Sequence, residues 1–131
     1  MKRILVVEDY HALVDIETLL CQMEGYDVKS AQTGEEGLSL IGSYKPDLVI
    51  LDLVMPGVDG FEVISSLKGD PRTASIPILV CTAHDLTPAD KERLNGKILG
   101  IVTKGTDARD GLRQWLATAA APALGSVAGD A

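Results

Sequence analysis

Leu48-Val49-Ile50-Leu51-Asp52-Leu53-Val54-Met55-Pro56-Gly57-Val58-Asp59-Gly60 decides how this chain is read. Four consecutive aliphatic residues after Pro46 predict a short strand with no polar side. Asp52 ends the run, and a loop with one proline and two glycines comes next. Phe61, Val63, Ile64 and Leu67 then recur at helical spacing, with a cap near Asp59.

The same strand-then-helix unit repeats in both directions. Upstream, Ile4-Leu5-Val6-Val7 is an apolar, β-branched run, and Ala12, Leu13, Ile16, Leu19, Leu20 and Met23 form a helical stripe closed by Gly25. Tyr26 to Ala31 predicts a second strand centred on Val28. Thr33-Gly34-Glu35-Glu36 has the form of a capping box and opens a second helix, with Leu38, Leu40 and Ile41 apolar. Downstream, Ile76 to Cys81 predicts a fourth strand with Pro77 at its start. Thr87-Pro88 opens a fourth helix. Ile98 to Val102 predicts a fifth strand, and Asp107 to about Ala120 a fifth helix with Leu112, Trp115 and Leu116 on one side.

Five such units argue for an α/β fold, a parallel sheet covered on both faces. The right-handed crossover rule and the strand count favour the flavodoxin-like (βα)5 sandwich with strand order 2-1-3-4-5. Residues 1–121 are expected to form this one domain. Residues 122–131, rich in Ala and Gly, read as a disordered tail or linker stub.

Composition excludes several functions. A net charge of -7 argues against a face for nucleic acid. No apolar run reaches the roughly 20 residues of a membrane span. The start of the chain does not read as a secretory leader, because Glu8-Asp9 interrupts the apolar run, and cytoplasm is the expected compartment. Cys21 and Cys81 sit in apolar patterns and are expected to be buried, reduced thiols.

In an open α/β sheet the chemistry lies beyond the carboxyl ends of the strands. Glu8 and Asp9 follow the first strand, Asp52 the third, Thr82 the fourth, and Thr103 and Lys104 the fifth. Three carboxylates brought together repel unless a cation joins them. Mg²⁺ suits an oxygen-only set, and the absence of His and Cys at these strand ends argues against zinc or copper. Such a set suits phosphoryl transfer, with Asp52 as nucleophile and Lys104 and Mg²⁺ offsetting charge on the transferred group.

These residues together resemble the receiver domain of two-component response regulators, over residues 2 to about 120. The resemblance rests on Glu8-Asp9, the stretch from Asp52 to Gly60, Thr82-Ala83 and Lys104. It implies that Asp52 is the phosphoacceptor and Asp9 a direct Mg²⁺ ligand. Glu8 would act on the ion through water, and the Val54 carbonyl would complete the metal set of Glu8, Asp9, Asp52 and Val54. Thr82 would be the switch hydroxyl and Lys104 the phosphoryl-binding lysine. The implied phosphodonor is a sensor histidine kinase or histidine phosphotransfer protein. The implied output is binding of a downstream effector protein at the fourth helix, fifth strand and fifth helix, by a monomer or a dimer linked to phosphorylation. No separate substrate turnover is expected beyond the domain's own phosphorylation and dephosphorylation.

Three departures from the family pattern stand out. Ile101 occupies a position that usually carries Tyr or Phe. Gly105 replaces the proline that often follows the lysine, so a cis bond there would cost about 2.5–4 kcal/mol without the proline discount. Val54 and His84 hold the variable positions that tune dephosphorylation.

Each residue alone has a plainer reading. Glu8 or Asp9 could cap the first helix, Asp52 could be a turn acid, Thr82 a strand-end hydroxyl, and Lys104 a solvated cation. His84 reads as a solvated loop residue, His11 as an early residue of the first helix, Tyr10 as rim packing, and Trp115 as packing on the sheet. A haloacid-dehalogenase type of hydrolase would need an acid where Val54 stands. A flavin carrier would be repelled by Glu8-Asp9 after the first strand. The alternative function is a receiver-like interaction scaffold that is not phosphorylated.

Overall fold

The computed structural model describes residues 2–53, 59–82, 86–103, 111–112 and 114–116. Its elements are β1 (Arg3–Val7), α1 (His11–Met23), β2 (Asp27–Ala31), α2 (Gly34–Tyr44), β3 (Leu48–Leu51), α3 (Gly60–Gly69), β4 (Ile78–Thr82), α4 (Pro88–Leu94) and β5 (Gly100–Thr103). Residues 111, 112 and 114–116 are helical and are labelled α5. The strands form one parallel sheet of order β2-β1-β3-β4-β5, as the βα alternation predicts. The predicted tail at 122–131 lies outside the described residues.

Strand burial explains the unbroken aliphatic runs. Every residue of β3 and β4 is buried, and so are Ile4 to Val7 of β1. Successive side chains go to opposite faces. Leu5, Val7, Val49, Leu51 and Val80 join one apolar cluster with Ile64 and Leu67 of α3 and Leu94 of α4. Ile4, Val6, Ile50 and Leu79 join the other with Leu20 of α1 and Leu112 and Leu116 of α5. Burying each such side chain contributes about 1.5–3 kcal/mol. The edge strand β2 is mostly exposed, as its mixed sequence Asp27-Val28-Lys29-Ser30-Ala31 requires.

The local punctuation follows the sequence closely. Asp59 accepts from the Glu62 amide and caps α3. Thr87 and Asp90 form a reciprocal capping box with Pro88 in the first turn of α4. Gly25 ends α1 at φ +90, where a side chain would be strained. Thr33 accepts from the Glu36 amide as predicted, but Glu36 bonds the Gln32 amide rather than that of Thr33, so only half of the expected box forms there.

Strand limits differ by one or two residues. β2 starts at Asp27, because the Tyr26 amide turns back to Cys21 and closes the end of α1. β4 runs Ile78–Thr82, so Thr82 closes the strand rather than following it. Ile76 and Pro77 lie before it, although the Pro77 carbonyl accepts from the Val49 amide at 3.0 Å. Proline has no N–H for the ladder but keeps its acceptor. β5 begins at Gly100, not Ile98.

Some faces of α1 are more exposed than their apolar residues suggest. Leu19 is 57 % and Met23 66 % exposed, so neither belongs to the core stripe. Tyr10 is 62 % exposed and does not pack on the rim. Trp115 does pack on the sheet: its ring lies against Gly100, where a Cβ would stand 2.3 Å from Cζ2. Cys21 and Cys81 are buried and are not joined in a disulfide, as expected.

Candidate functional site

The register of the sheet builds the site. Val7 pairs with Leu51, so the next residues, Glu8 and Asp52, leave the sheet side by side. Two backbone bonds extend the ladder past the strand ends. The Asp52 amide donates to the Val7 carbonyl at 3.0 Å, and the Glu8 amide donates to the Ala31 carbonyl at 2.9 Å. Leu51 also pairs with Val80, two residues before Thr82 on the neighbouring strand. Thr82 pairs with Thr103, so these two residues end their strands at the same edge of the sheet. Lys104 itself lies outside the described residues, as do Val54, His84 and Gly105.

Glu8, Asp9 and Asp52 each offer a carboxylate oxygen, and these oxygens lie within 4.8 Å of one another. Glu8 is 1 % and Asp52 8 % exposed, while Asp9 is half-buried. Grouping buried carboxylates is unfavourable unless cations or donors accompany them. Glu8 accepts the Tyr10 amide proton at 3.3 Å.

Helix capping does not account for these acids. The N-cap of α1 is Tyr10, which has no side-chain cap bond, and the carbonyl of Tyr10 accepts from Leu13 and Val14. Asp52 lies in the sheet edge rather than in a solvated turn. Thr82 is fully buried. His11 begins α1, exposed, with its Nδ1 3.2 Å from Gln32 Nε2, and it is not one of the acid group.

Gly60 is a residue whose part in the site the sequence reading leaves within the loop. It is the first residue of α3, and its amide donates to the Leu53 carbonyl at 2.9 Å. A Cβ here would stand 2.5 Å from Leu53 Cα and 2.7 Å from the Asp52 carbonyl oxygen. Only glycine lets α3 start this close to Asp52. The signal was present in the sequence as a glycine directly after the cap Asp59.

Ile101 is half-buried on β5 and packs with the cluster that contains Leu94 of α4, where it fills space but offers no hydroxyl. A separate cleft of about 850 Å³ lies between α2 and α3, lined by Leu38, Lys45, Pro46, Leu67 and Arg72 among others. None of the three acids lines it, so the acid group stands apart from this concavity. No helix among the described residues is long and apolar enough to cross a membrane.

Comparison with known proteins agrees with this geometry. The sequence profile of the response regulator receiver domain matches residues 4–116. The DNA-binding dual master transcriptional regulator RpaA of Synechocystis is 46 % identical over 83 residues, which are 63 % of this chain and 34 % of that protein. The chain thus spans about a third of the length of this curated relative. The N-terminal domain of a response regulator receiver protein from Methanoculleus marisnigri superposes with a TM-score of 0.75 at 33 % identity, covering 92 % of this chain and 98 % of that one. Response regulator TrrA of Thermotoga maritima, solved in complex with Mg²⁺ and BeF, superposes with a TM-score of 0.79 at 32 % identity, covering 90 % and 98 %. A profile match over most of the chain, on a sheet whose carboxyl edge gathers Glu8, Asp9 and Asp52, places this protein in the response regulator receiver domain family.

Proposed function

We propose that this domain is a phosphorylation-dependent signalling switch in which Asp52 accepts a phosphoryl group. The observation that carries the reading is the convergence of Glu8, Asp9 and Asp52 within 4.8 Å at the edge that Thr82 also reaches.

The donor set fits Mg²⁺, because it is made of oxygens alone and contains no imidazole or thiolate. Asp9 and Asp52 would hold the ion directly, Glu8 through water, and the Val54 carbonyl would add a further oxygen. When bound, Mg²⁺ offsets negative charge on the phosphoryl oxygens. Asp52 attacks the phosphorus of a phosphohistidine: an oxygen–phosphorus bond forms, the phosphorus–nitrogen bond breaks, and the imidazole leaves with a proton. Thr82 donates its hydroxyl to a phosphoryl oxygen. Lys104, which the sequence places one residue past β5, adds a fixed positive charge.

The phosphodonor is a sensor histidine kinase or a histidine phosphotransfer protein. Phosphorylation adds charge and acceptor oxygens at the sheet edge, and the surface of α4, β5 and α5 then changes its preference for an effector protein. The similarity to TrrA supports the phosphoryl pocket, since that relative was solved with Mg²⁺ and BeF.

Intact-mass spectrometry after incubation with Mg²⁺ and acetyl phosphate tests the reading. One added phosphoryl group that requires Mg²⁺ and is lost in Asp52→Asn is expected. A short-lived adduct would escape this assay, so a beryllofluoride titration followed by Trp115 fluorescence accompanies it. Silence in both would leave an unphosphorylated interaction scaffold.

A further inference from the structure

Phe61 is the second residue of α3, directly after the glycine that touches Asp52. Gly60 lies so near the backbone of Asp52 and Leu53 that a Cβ there would clash with it, and its amide donates to the Leu53 carbonyl at 2.9 Å. A shift of the Asp52 segment is therefore passed to the first turn of α3, because close-packed backbone cannot absorb it. On the outer side, the guanidinium of Arg93 from α4 lies over the Phe61 ring, 3.9 Å from its centroid. That is well inside the reach of about 6 Å over which a cation is drawn to a ring face.

Among the described residues α4 has few other holds. It has seven residues, of which only Leu94 is buried. Its N-terminus is closed on itself, by the box between Thr87 and Asp90. The seam between α3 and α4 contains a cavity of about 60 Å³, lined by Phe61, Ile64, Ser65, Arg93, Leu94 and Lys97. An incompletely filled seam lets a short helix move without overpacking its neighbours. Ile101 and Leu86 pack as partly buried aliphatic residues against the cluster that contains Leu94, with no directional preference. Among the described residues, one buried apolar residue, Leu94, and one stacked cation, Arg93, hold α4.

We propose that the stacking of Arg93 on Phe61 is a latch that holds α4 in its resting position and couples it to the phosphoacceptor segment. The proposal rests on the phosphoacceptor reading above. Occupying the site displaces the Asp52 segment, Gly60 and Phe61 follow, and the stack weakens. By linkage, removing the stack makes occupation of the site easier.

The test is beryllofluoride binding in Mg²⁺, read by Trp115 fluorescence, with amide hydrogen exchange over residues 88–94 in the unliganded protein. Wild type is compared with Arg93→Ala, Phe61→Leu, the double variant and Arg93→Lys. Arg93 is exposed, so its replacement leaves the core intact. Each single substitution is expected to tighten beryllofluoride binding roughly 2- to 5-fold, the range a surface cation–π contact supports, and to lower protection of α4. The double variant should bind no tighter than the singles, because both remove one contact, and Arg93→Lys should keep part of the effect. Unchanged or weakened binding, additive single effects, or lost protection with unchanged binding would each overturn the latch. A wild type that binds no beryllofluoride would instead bring down the phosphoacceptor reading, and the coupling with it.

Discussion

The amide of Asp52 donates to the carbonyl of Val7 at 3.0 Å, and this bond sets Glu8 beside Asp52. The pairing of β1 with β3 thereby creates a site of concentrated negative charge. If the proposed function holds, the acids serve ion binding at the expense of stability. Asp9→Asn is expected to raise the stability of the metal-free protein by about 0.5–1 kcal/mol, by relieving repulsion. The same variant should lose most of the stabilisation that Mg²⁺ gives wild type, which is about 2.7 kcal/mol at a hundredfold excess over Kd. Urea unfolding with and without Mg²⁺ measures both. A metal-free variant less stable than wild type would show that repulsion is not what the cluster stores.

Gly60 shows how little room the Asp52 segment leaves. The Cβ of Gly60→Ala would meet backbone atoms of Leu53 and Asp52 at 2.5 and 2.7 Å. Backbone cannot rotate away as a side chain can, so a loss of about 1–3 kcal/mol is expected, with weaker Mg²⁺ binding as Asp52 shifts. Gly42→Ala, on an open face of α2 with nothing within 4 Å, is the control and should be neutral or slightly stabilising.

Tyr26 ties the start of β2 to α5 across 90 residues, donating its hydroxyl to the Leu116 carbonyl at 3.1 Å. Burial, with Cys21 and Glu24 adding, raises the Tyr26 hydroxyl above its ordinary value and keeps it a donor. Tyr26→Phe is expected to cost about 1 kcal/mol. Faster amide exchange at 111–116 than elsewhere would place the loss in α5. Uniform exchange would argue for a general loss of packing.

Cys21 gives a pH dependence of known sign. Burial, with the nearby Glu17 carboxylate adding, pushes its thiol from 9.0 up to about 12. The unfolded chain releases this proton first, so the folded state keeps its full advantage below pH 9.0 and loses it as pH rises towards about 12. Tyr26 and Tyr44, both raised mainly by burial, add to the same slope. Stability should therefore fall steadily above about pH 9, and Cys21→Val should flatten part of that fall. The native thiol should also resist alkylation at about pH 8.

Much of the site was legible because it hangs on strand ends. The aliphatic runs at Ile4, Leu48 and Ile78 mark three neighbouring strands, and parallel strands deliver the residues after them to one edge. Asp59 and Thr87 announced the starts of α3 and α4, since a cap bonds an amide three residues on and needs nothing distant. The exposed side of α1 was less legible. Leu19 and Met23 continue an apolar pattern, and periodicity does not say how wide a stripe the sheet covers.

The order of elements, their caps and the strand that each acid leaves were already fixed in the linear chain, because each depends on residues within one turn or one strand. Folding in three dimensions was needed to set Glu8 beside Asp52, to press Gly60 against the Asp52 backbone, to bring Tyr26 to Leu116 and to lay Arg93 over Phe61. Those pairs are distant or cross elements, and no periodicity or local propensity encodes them. They are set by sheet register and helix packing, which the whole core fixes together.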